Sequence, residues 1–263
     1  MRTDDPMYNL ADRCLFPVGA ARFLQEFYTD RCGVFRPGDD IDPDTLLSLE
    51  QIEMTLAASG AFETASVAMR VPGSAQPGFV RSMADVYDAL SKGQGLQIAR
   101  YDRLLAFDHP LSQMFRAFGV LCRAPCHGMT VFLSPPGAVL PAHNDPFEIF
   151  TLQVQGTKTW RIHGFAPPQT GTDVQIDVDA PVEIHHLSRG DIFYVPKGIV
   201  HDVLPGDGHS QEGFSLSVAL IYRPPAWESL VQEIATDLAQ DRRFWRSLPP
   251  DGLVDGIEHR RAL

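Results

Sequence analysis

His143-Asn144-Asp145-Pro146-Phe147-Glu148-Ile149-Phe150-Thr151-Leu152-Gln153-Val154-Gln155-Gly156-Thr157-Lys158-Thr159-Trp160 is the stretch that decides the fold class of this chain. Glu148 to Gln155 is a short run rich in β-branched and aromatic residues, which predicts a strand. Gly156-Thr157 reads as a hairpin turn, with Lys158 to His163 as the partner strand. Working outward, the same punctuation repeats. Met129 to Leu133 reads as a strand and Ser134-Pro135-Pro136-Gly137 as a turn. Val182 to Leu187 and Asp191 to Val195 read as strands separated by Ser188-Arg189-Gly190. Ser215 to Tyr222 reads as a final strand. Short strands broken by Gly and Pro predict a sandwich or barrel.

The flanks have a different period. Ala20 to Tyr28 places apolar residues at helical spacing, and Asp42-Pro43 reads as a cap and turn before a short helix ending near Leu49. Ser82 to Leu90 starts like a helix that Lys92-Gly93 stops. Leu111 to Leu121 puts Met114, Phe115, Phe118 and Leu121 on one face, the pattern of core packing. After Pro224-Pro225, the residues Trp227, Leu230, Val231, Ile234 and Leu238 form an apolar stripe on a last helix. The expected organisation is a mixed helical region over 1–95 that packs on the barrel, a β core over 96–225, and a C-terminal helical segment over 226–263. That last segment is a candidate for forming a homodimer.

At 263 residues and 44% apolar, the chain can bury a full core. No run approaches the length needed to span a bilayer. The start, Met1-Arg2-Thr3-Asp4-Asp5-Pro6, carries no apolar signal, so a cytoplasmic location is expected. A net charge of −11 argues against a nucleic-acid partner, which needs clustered Lys and Arg. Cys14, Cys32, Cys122 and Cys126 read as free thiols. Cys122-x-x-x-Cys126-His127 lacks a second ligand pair and does not read as a zinc site.

The chemistry gathers in two places. His143 and Asp145 are two residues apart, so on a strand both would point to one face. His201 closes the frame Gly190-Asp191-Ile192-Phe193-Tyr194-Val195-Pro196-Lys197-Gly198-Ile199-Val200-His201 and joins them if its strand lies beside theirs. Two imidazoles and one carboxylate with open coordination positions are the ligand set of non-heme Fe(II) oxygenases. His185 and His186 are adjacent, would face opposite ways, and cannot share an ion. His127, His163, His209 and His259 have no ligand-spaced partner.

Three blocks carry a family resemblance: Gly137 to Asp145, Phe150 to Trp160, and Gly190 to His201. Together they resemble the JmjC-type cupin oxygenases, most closely the bacterial branch that contains ribosomal-protein hydroxylases, over about Met83 to Trp227. An asparaginyl-hydroxylase branch is also similar. The resemblance implies a mostly β fold with flanking helices: a double-stranded β-helix (cupin or jelly-roll) core, a helical N-terminal region and a C-terminal helix. It implies an Fe(II)- and 2-oxoglutarate-dependent dioxygenase that uses O2 to hydroxylate a side chain of a protein or peptide. His143, Asp145 and His201 would be the iron ligands. Lys158, thirteen residues after Asp145, would pair with the distal carboxylate of 2-oxoglutarate, as a dianion drawn into a barrel requires. Ser134 and Thr151 are the further candidates for co-substrate contact, with Gln153 on the same strand face as Thr151. Arg100 and Tyr101 are candidates for touching substrate.

The chain also departs from these relatives. Leu140 stands where the asparaginyl hydroxylase has a Thr, and Ala219 where it has an Asn. The winged-helix-like extension of the ribosomal-protein hydroxylases is expected to be absent or much reduced. A small molecule, such as a free amino acid or a natural-product intermediate, is therefore the alternative substrate. Demethylation is an alternative outcome, and a non-oxygenase metal-binding cupin is the reading from another class. No membrane partner is expected.

Overall fold

The computed structural model describes residues 4–58, 60–70, 78–166, 180–205 and 214–245. The predicted histidines His209 and His259 lie outside them, as does the segment after Trp245. The helices are α1 (Pro6–Cys14), α2 (Ala20–Glu26), α3 (Pro43–Leu46), α4 (Leu49–Ala57), α5 (Ala61–Thr64), α6 (Met83–Ser91), α7 (Pro110–Cys122) and α8 (Trp227–Leu238). The strands are β1 (Gly33–Phe35), β2 (Ser66–Arg70), β3 (Gly78–Phe79), β4 (Gly95–Ala99), β5 (Cys126–Ser134) and β6 (Leu140–His143). They continue with β7 (Glu148–Gln155), β8 (Lys158–Phe165), β9 (Glu183–Leu187), β10 (Ile192–Val195), β11 (Ile199–Pro205) and β12 (Ser215–Tyr222).

Among the described residues the strands make two antiparallel sheets. The larger runs β1-β10-β7-β12-β5-β4-β2-β3 and the smaller β6-β11-β8-β9. The jelly-roll expectation holds, but one local reading does not. Gly156-Thr157 is no hairpin turn, because β7 pairs with β10 and β12 while β8 pairs with β11 and β9. The turn carries the chain from one sheet to the other. Gly156 makes this corner with φ +69, and a Cβ on it would lie 2.5 Å from the Phe214 carbonyl oxygen. Only glycine fits that approach. Ser188-Arg189-Gly190 likewise joins strands of different sheets.

Alternation divides the larger sheet into two faces. Val131, Leu152 and Val218 face the helices and share one core with Phe23, Leu47 and Phe118. The rings of Phe118 and Phe150 stack there at 4.1 Å between centroids. The opposite face looks at the smaller sheet, where Phe193, Trp160, Ile162 and Val203 pack together.

Local signals explain the helices. In α7, Pro110 takes the first turn, the His109 ring accepts a bond from the Leu111 amide, and Leu111, Met114, Phe115, Phe118 and Leu121 are buried. Ser82 caps α6 by accepting from the Asp85 amide. The N-terminal region also lends β1 to β3 to the larger sheet, and α1 and α4 were not anticipated. Contacts group the chain into two units, Met1–Pro224 and Pro225–Leu263. The second holds α8, whose Trp227, Val231 and Ile234 are exposed. No helix among the described residues is long and apolar enough to cross a membrane.

Candidate metal centre

β11 places His201 directly opposite His143 of β6. Both imidazoles hold a backbone carbonyl through Nδ1: His143 with Pro141 at 2.7 Å and His201 with Ile199 at 3.0 Å. Those bonds put the proton on Nδ1 and leave each Nε2 lone pair free. Both lone pairs turn toward Asp145, whose Oδ2 lies 3.6 Å from His143 Nε2 and 3.7 Å from His201 Nε2. The three ligand atoms lie within 4.8 Å of one another, the one such group among the described residues.

The alternation argument for Asp145 was only half right. His143 ends β6, but Asp145 sits in the link to β7. Pro146 lacks an N–H and holds Asp145 outside the helical region, so the ladder breaks there. The link is fixed from the smaller sheet instead. The Gly198 amide donates to the Asp145 carbonyl at 2.9 Å, and Asn144 Nδ2 donates to the Ala166 carbonyl at 2.9 Å. Burial lowers the His201 imidazole to about 3, with His143 adding to the shift. It is therefore a neutral ligand at any physiological pH. Trp160 stacks on it at 5.1 Å and 30°.

A cavity of about 270 Å³ runs from these three residues into the sandwich and is lined at its far end by Thr130, Phe132, Ser134, Thr151, Lys158 and Ser217. Lys158 opens β8 and is 7% exposed. Its Nζ donates to Ser217 Oγ at 2.7 Å and sits 5.4 Å above the Phe132 ring. No described carboxylate lies within ion-pair distance of it. Burial lowers the ammonium to about 7. Thr151 Oγ1 and Trp160 Nε1 are buried without hydrogen-bond partners. A cation with one hydrogen bond and no described counter-charge, beside a hydroxyl with no partner, is costly unless an acceptor-rich ligand completes them.

His143, Asp145, His201, Lys158, Ser134 and Thr151 thus all reach one cavity. Gln153 does not: its Nε2 is spent on Ser215 Oγ and the Gln155 carbonyl. Tyr101 is fully buried, with its hydroxyl near Thr55 Oγ1 at 3.4 Å. Arg100 lies outside the cavity lining and pairs with Asp102. His185 and His186 point apart, one to Glu183 and one to Thr159. Leu140 and Ala219, the two departures, both line the cavity. Gln97, Thr130, Phe132 and Ser217 were missed. Alternation within Met129–Leu133 and within Ser215-Leu216-Ser217 was the available signal.

Residues 112–230 match the family profile described as the JmjC domain. A bifunctional lysine-specific demethylase and histidyl-hydroxylase NO66 of Drosophila erecta is 31% identical over 118 residues, 41% of this chain and 17% of that protein. Ribosomal oxygenase 1 of Gallus gallus is 29% identical over 179 residues, 59% of this chain and 28% of that protein. The chain therefore spans under a third of these relatives' length. Among solved structures, E. coli ycfD is 20% identical with TM-score 0.59, over 92% of this chain and 65% of that one. The E. coli ribosomal oxygenase YcfD in complex with cobalt and 2-oxoglutarate is 19% identical with TM-score 0.56, over 92% and 64%. At such identity the likeness is one of fold, and it extends beyond the JmjC domain into the N-terminal helices and strands.

Proposed function

We propose that this chain is an Fe(II)- and 2-oxoglutarate-dependent dioxygenase that hydroxylates a side chain of a protein or peptide. The observation that carries it is a convergent His143–Asp145–His201 set sharing one cavity with Lys158, a buried cation that has no carboxylate partner among the described residues. The donor set fits the metal: two neutral imidazole nitrogens and one carboxylate suit Fe(II) and leave positions open. Bound iron would couple O2 and 2-oxoglutarate to give the hydroxylated product, succinate and carbon dioxide.

Each protein residue has a defined part. The imidazoles and Asp145 would fix the metal from two strands and one link, with the two Nδ1 bonds setting ring orientation. Lys158 would take the distal carboxylate of 2-oxoglutarate and aim its keto acid end at the metal, with Thr151 and Ser217 as hydroxyl partners. Phe132, Trp160, Leu140 and Val203 wall the cavity and limit water. His143 and Asp145 keep 35% and 30% of their side chains exposed, so the metal end opens outward, which suits a protein segment. Four free cysteines, three of them buried, suit a reducing cytoplasm. The C-terminal segment is proposed to self-associate through the α8 stripe; Ile234→Asp should then abolish dimerisation in light scattering.

Anaerobic addition of Fe(II) and then 2-oxoglutarate to the full chain tests the assignment. A visible absorption band should appear with 2-oxoglutarate, and Lys158→Ala should need far more of it. Iron bound with no band in the wild type would refute the dioxygenase reading.

A further inference from the structure

The cavity has a second cationic feature, at its open end. On the larger sheet Ile149 pairs with Ile221, and both line the cavity. Phe147 lies just before β7, two residues after Asp145, and Arg223 just after β12. The Arg223 guanidinium lies 5.8 Å from the Phe147 ring centroid. On the same ring His127 stacks at 4.4 Å. Arg223 has no carboxylate partner among the described residues.

Arg100 is brought to this place by unusual means. Its backbone is left-handed at φ 63, a conformation that costs a non-glycine residue about 1 kcal/mol or more. It lies over Gly128, the register partner of Ile221, where a Cβ would stand 3.3 Å from its Cδ and Nε. Asp102 steadies it at 3.1 Å and is itself held by the Met129 amide at 2.9 Å. Its Nε is buried with no acceptor. His127 gives up its proton more readily than a free imidazole, first through partial burial and then through Arg100 and Arg223, with Asp102 opposing the shift. Both guanidiniums therefore act on one spot. Arg100 also borders a surface groove shared with Arg81, Arg103 and one acid, Glu63.

We propose that Arg100 and Arg223 form a carboxylate-binding lip on the metal cavity, selecting protein segments with an acidic residue beside the side chain that enters. The proposal rests on the hydroxylase reading and names its substrate class. A chain of net charge −11 repels a polyanion such as RNA at long range. A single carboxylate within a Debye length of about 8 Å is drawn by Arg223, which has no carboxylate partner among the described residues, and by Arg100, whose charge Asp102 partly offsets. Guanidinium forks bind carboxylates in two-point geometry, which gives direction as well as attraction.

The test uses the full chain, metal-free and loaded with Co(II) and 2-oxoglutarate. The probes are acetyl-Glu-Gly-Glu-amide, acetyl-Lys-Gly-Lys-amide and a ten-nucleotide oligouridine, titrated by saturation-transfer NMR. The glutamyl probe should bind, and more tightly than the other two. Arg223→Gln should weaken it at least ten-fold, and Arg223→Lys should restore part of the loss. Arg100→Gln should act likewise, but Arg223 is exposed, so its variant decides the matter even if Arg100→Gln misfolds. Equal binding of the glutamyl and lysyl probes, or no effect of Arg223→Gln, overturns the lip. Tighter oligouridine binding that depends on Arg223 overturns the acidic-peptide assignment. Saturation transfer needs no metal, so a missing Co(II) absorption band counts against the hydroxylase reading alone.

Discussion

Raising the pH should loosen 2-oxoglutarate, and Lys158 sets where the loss begins. Burial holds this ammonium at about 7, well below the roughly 10.4 of a free lysine. Below pH 7 the cation is in place before the dianion arrives. Above pH 7 the resting amine is neutral, so each binding event must draw a proton from solvent. Affinity then falls about ten-fold per pH unit until the pH reaches the higher value Lys158 adopts beside a carboxylate. Between pH 6.5 and 8.5 the loss is about 25-fold, or ~2 kcal/mol. Calorimetry of the Co(II)-loaded chain in buffers of different ionisation enthalpy reads the proton directly. Uptake should rise from about a quarter of a proton per 2-oxoglutarate at pH 6.5 to about one at pH 8.5. Lys158→Arg keeps its charge throughout and should flatten the profile. A flat wild-type profile, or an unchanged slope in Lys158→Arg, would refute the reasoning.

Lys158→Met should lose 2-oxoglutarate affinity yet stabilise the fold. A base whose folded value is depressed is protonated more readily in the unfolded chain, so at or below pH 7 its burial opposes folding by ~4 kcal/mol, less what the Ser217 bond returns. A lower urea midpoint for this variant at pH 7 would contradict that. Gly156→Ala should destabilise by about 2–4 kcal/mol, from the positive φ and the 2.5 Å approach to Phe214; an unchanged melting temperature would show that the corner can relax. His143→Ala and Asp145→Ala should abolish the Co(II) absorption band while circular dichroism stays unchanged, since both side chains are partly exposed. Retained cobalt binding would remove them from the ligand set.

The candidate ligand set was legible because its spacing is local: His143 at the end of β6 with Asp145 in the link that follows, and a Gly-Asp frame that ends on His201. Lys158 was legible only through resemblance, since an isolated lysine after Gly-Thr looks like a solvated turn residue. Sheet membership was not legible. The Gly156-Thr157 sequence suits a two-residue hairpin as well as it suits a corner, and the choice is made by Phe214, far along the chain. Pro146 did announce that Asp145 leaves the strand, and the strict period-two reading passed over it. Likewise Ser48-x-x-Gln51 is a capping box that marks the start of α4. β2 and β4 are five residues each; they pair with each other, and only β4 reaches β5. Such short runs carry too little alternation to be separated from the helices around them.

Among the described residues β6 is an edge of the smaller sheet and pairs with β11 alone, through His143↔His201 and Leu140↔Val203 with a register shift between them. An edge held by two pairings is the kind of segment that opens first in local fluctuations. An ion shared by His143, Asp145 and His201 would rivet that edge to its neighbour, adding about 2.7 kcal/mol at a hundred times its dissociation constant. Metal occupancy would then be visible from outside the cavity. Stripped protein should be nicked by proteases between Pro135 and Phe147, and loaded protein should survive, so that a cell short of iron would clear the idle copies first.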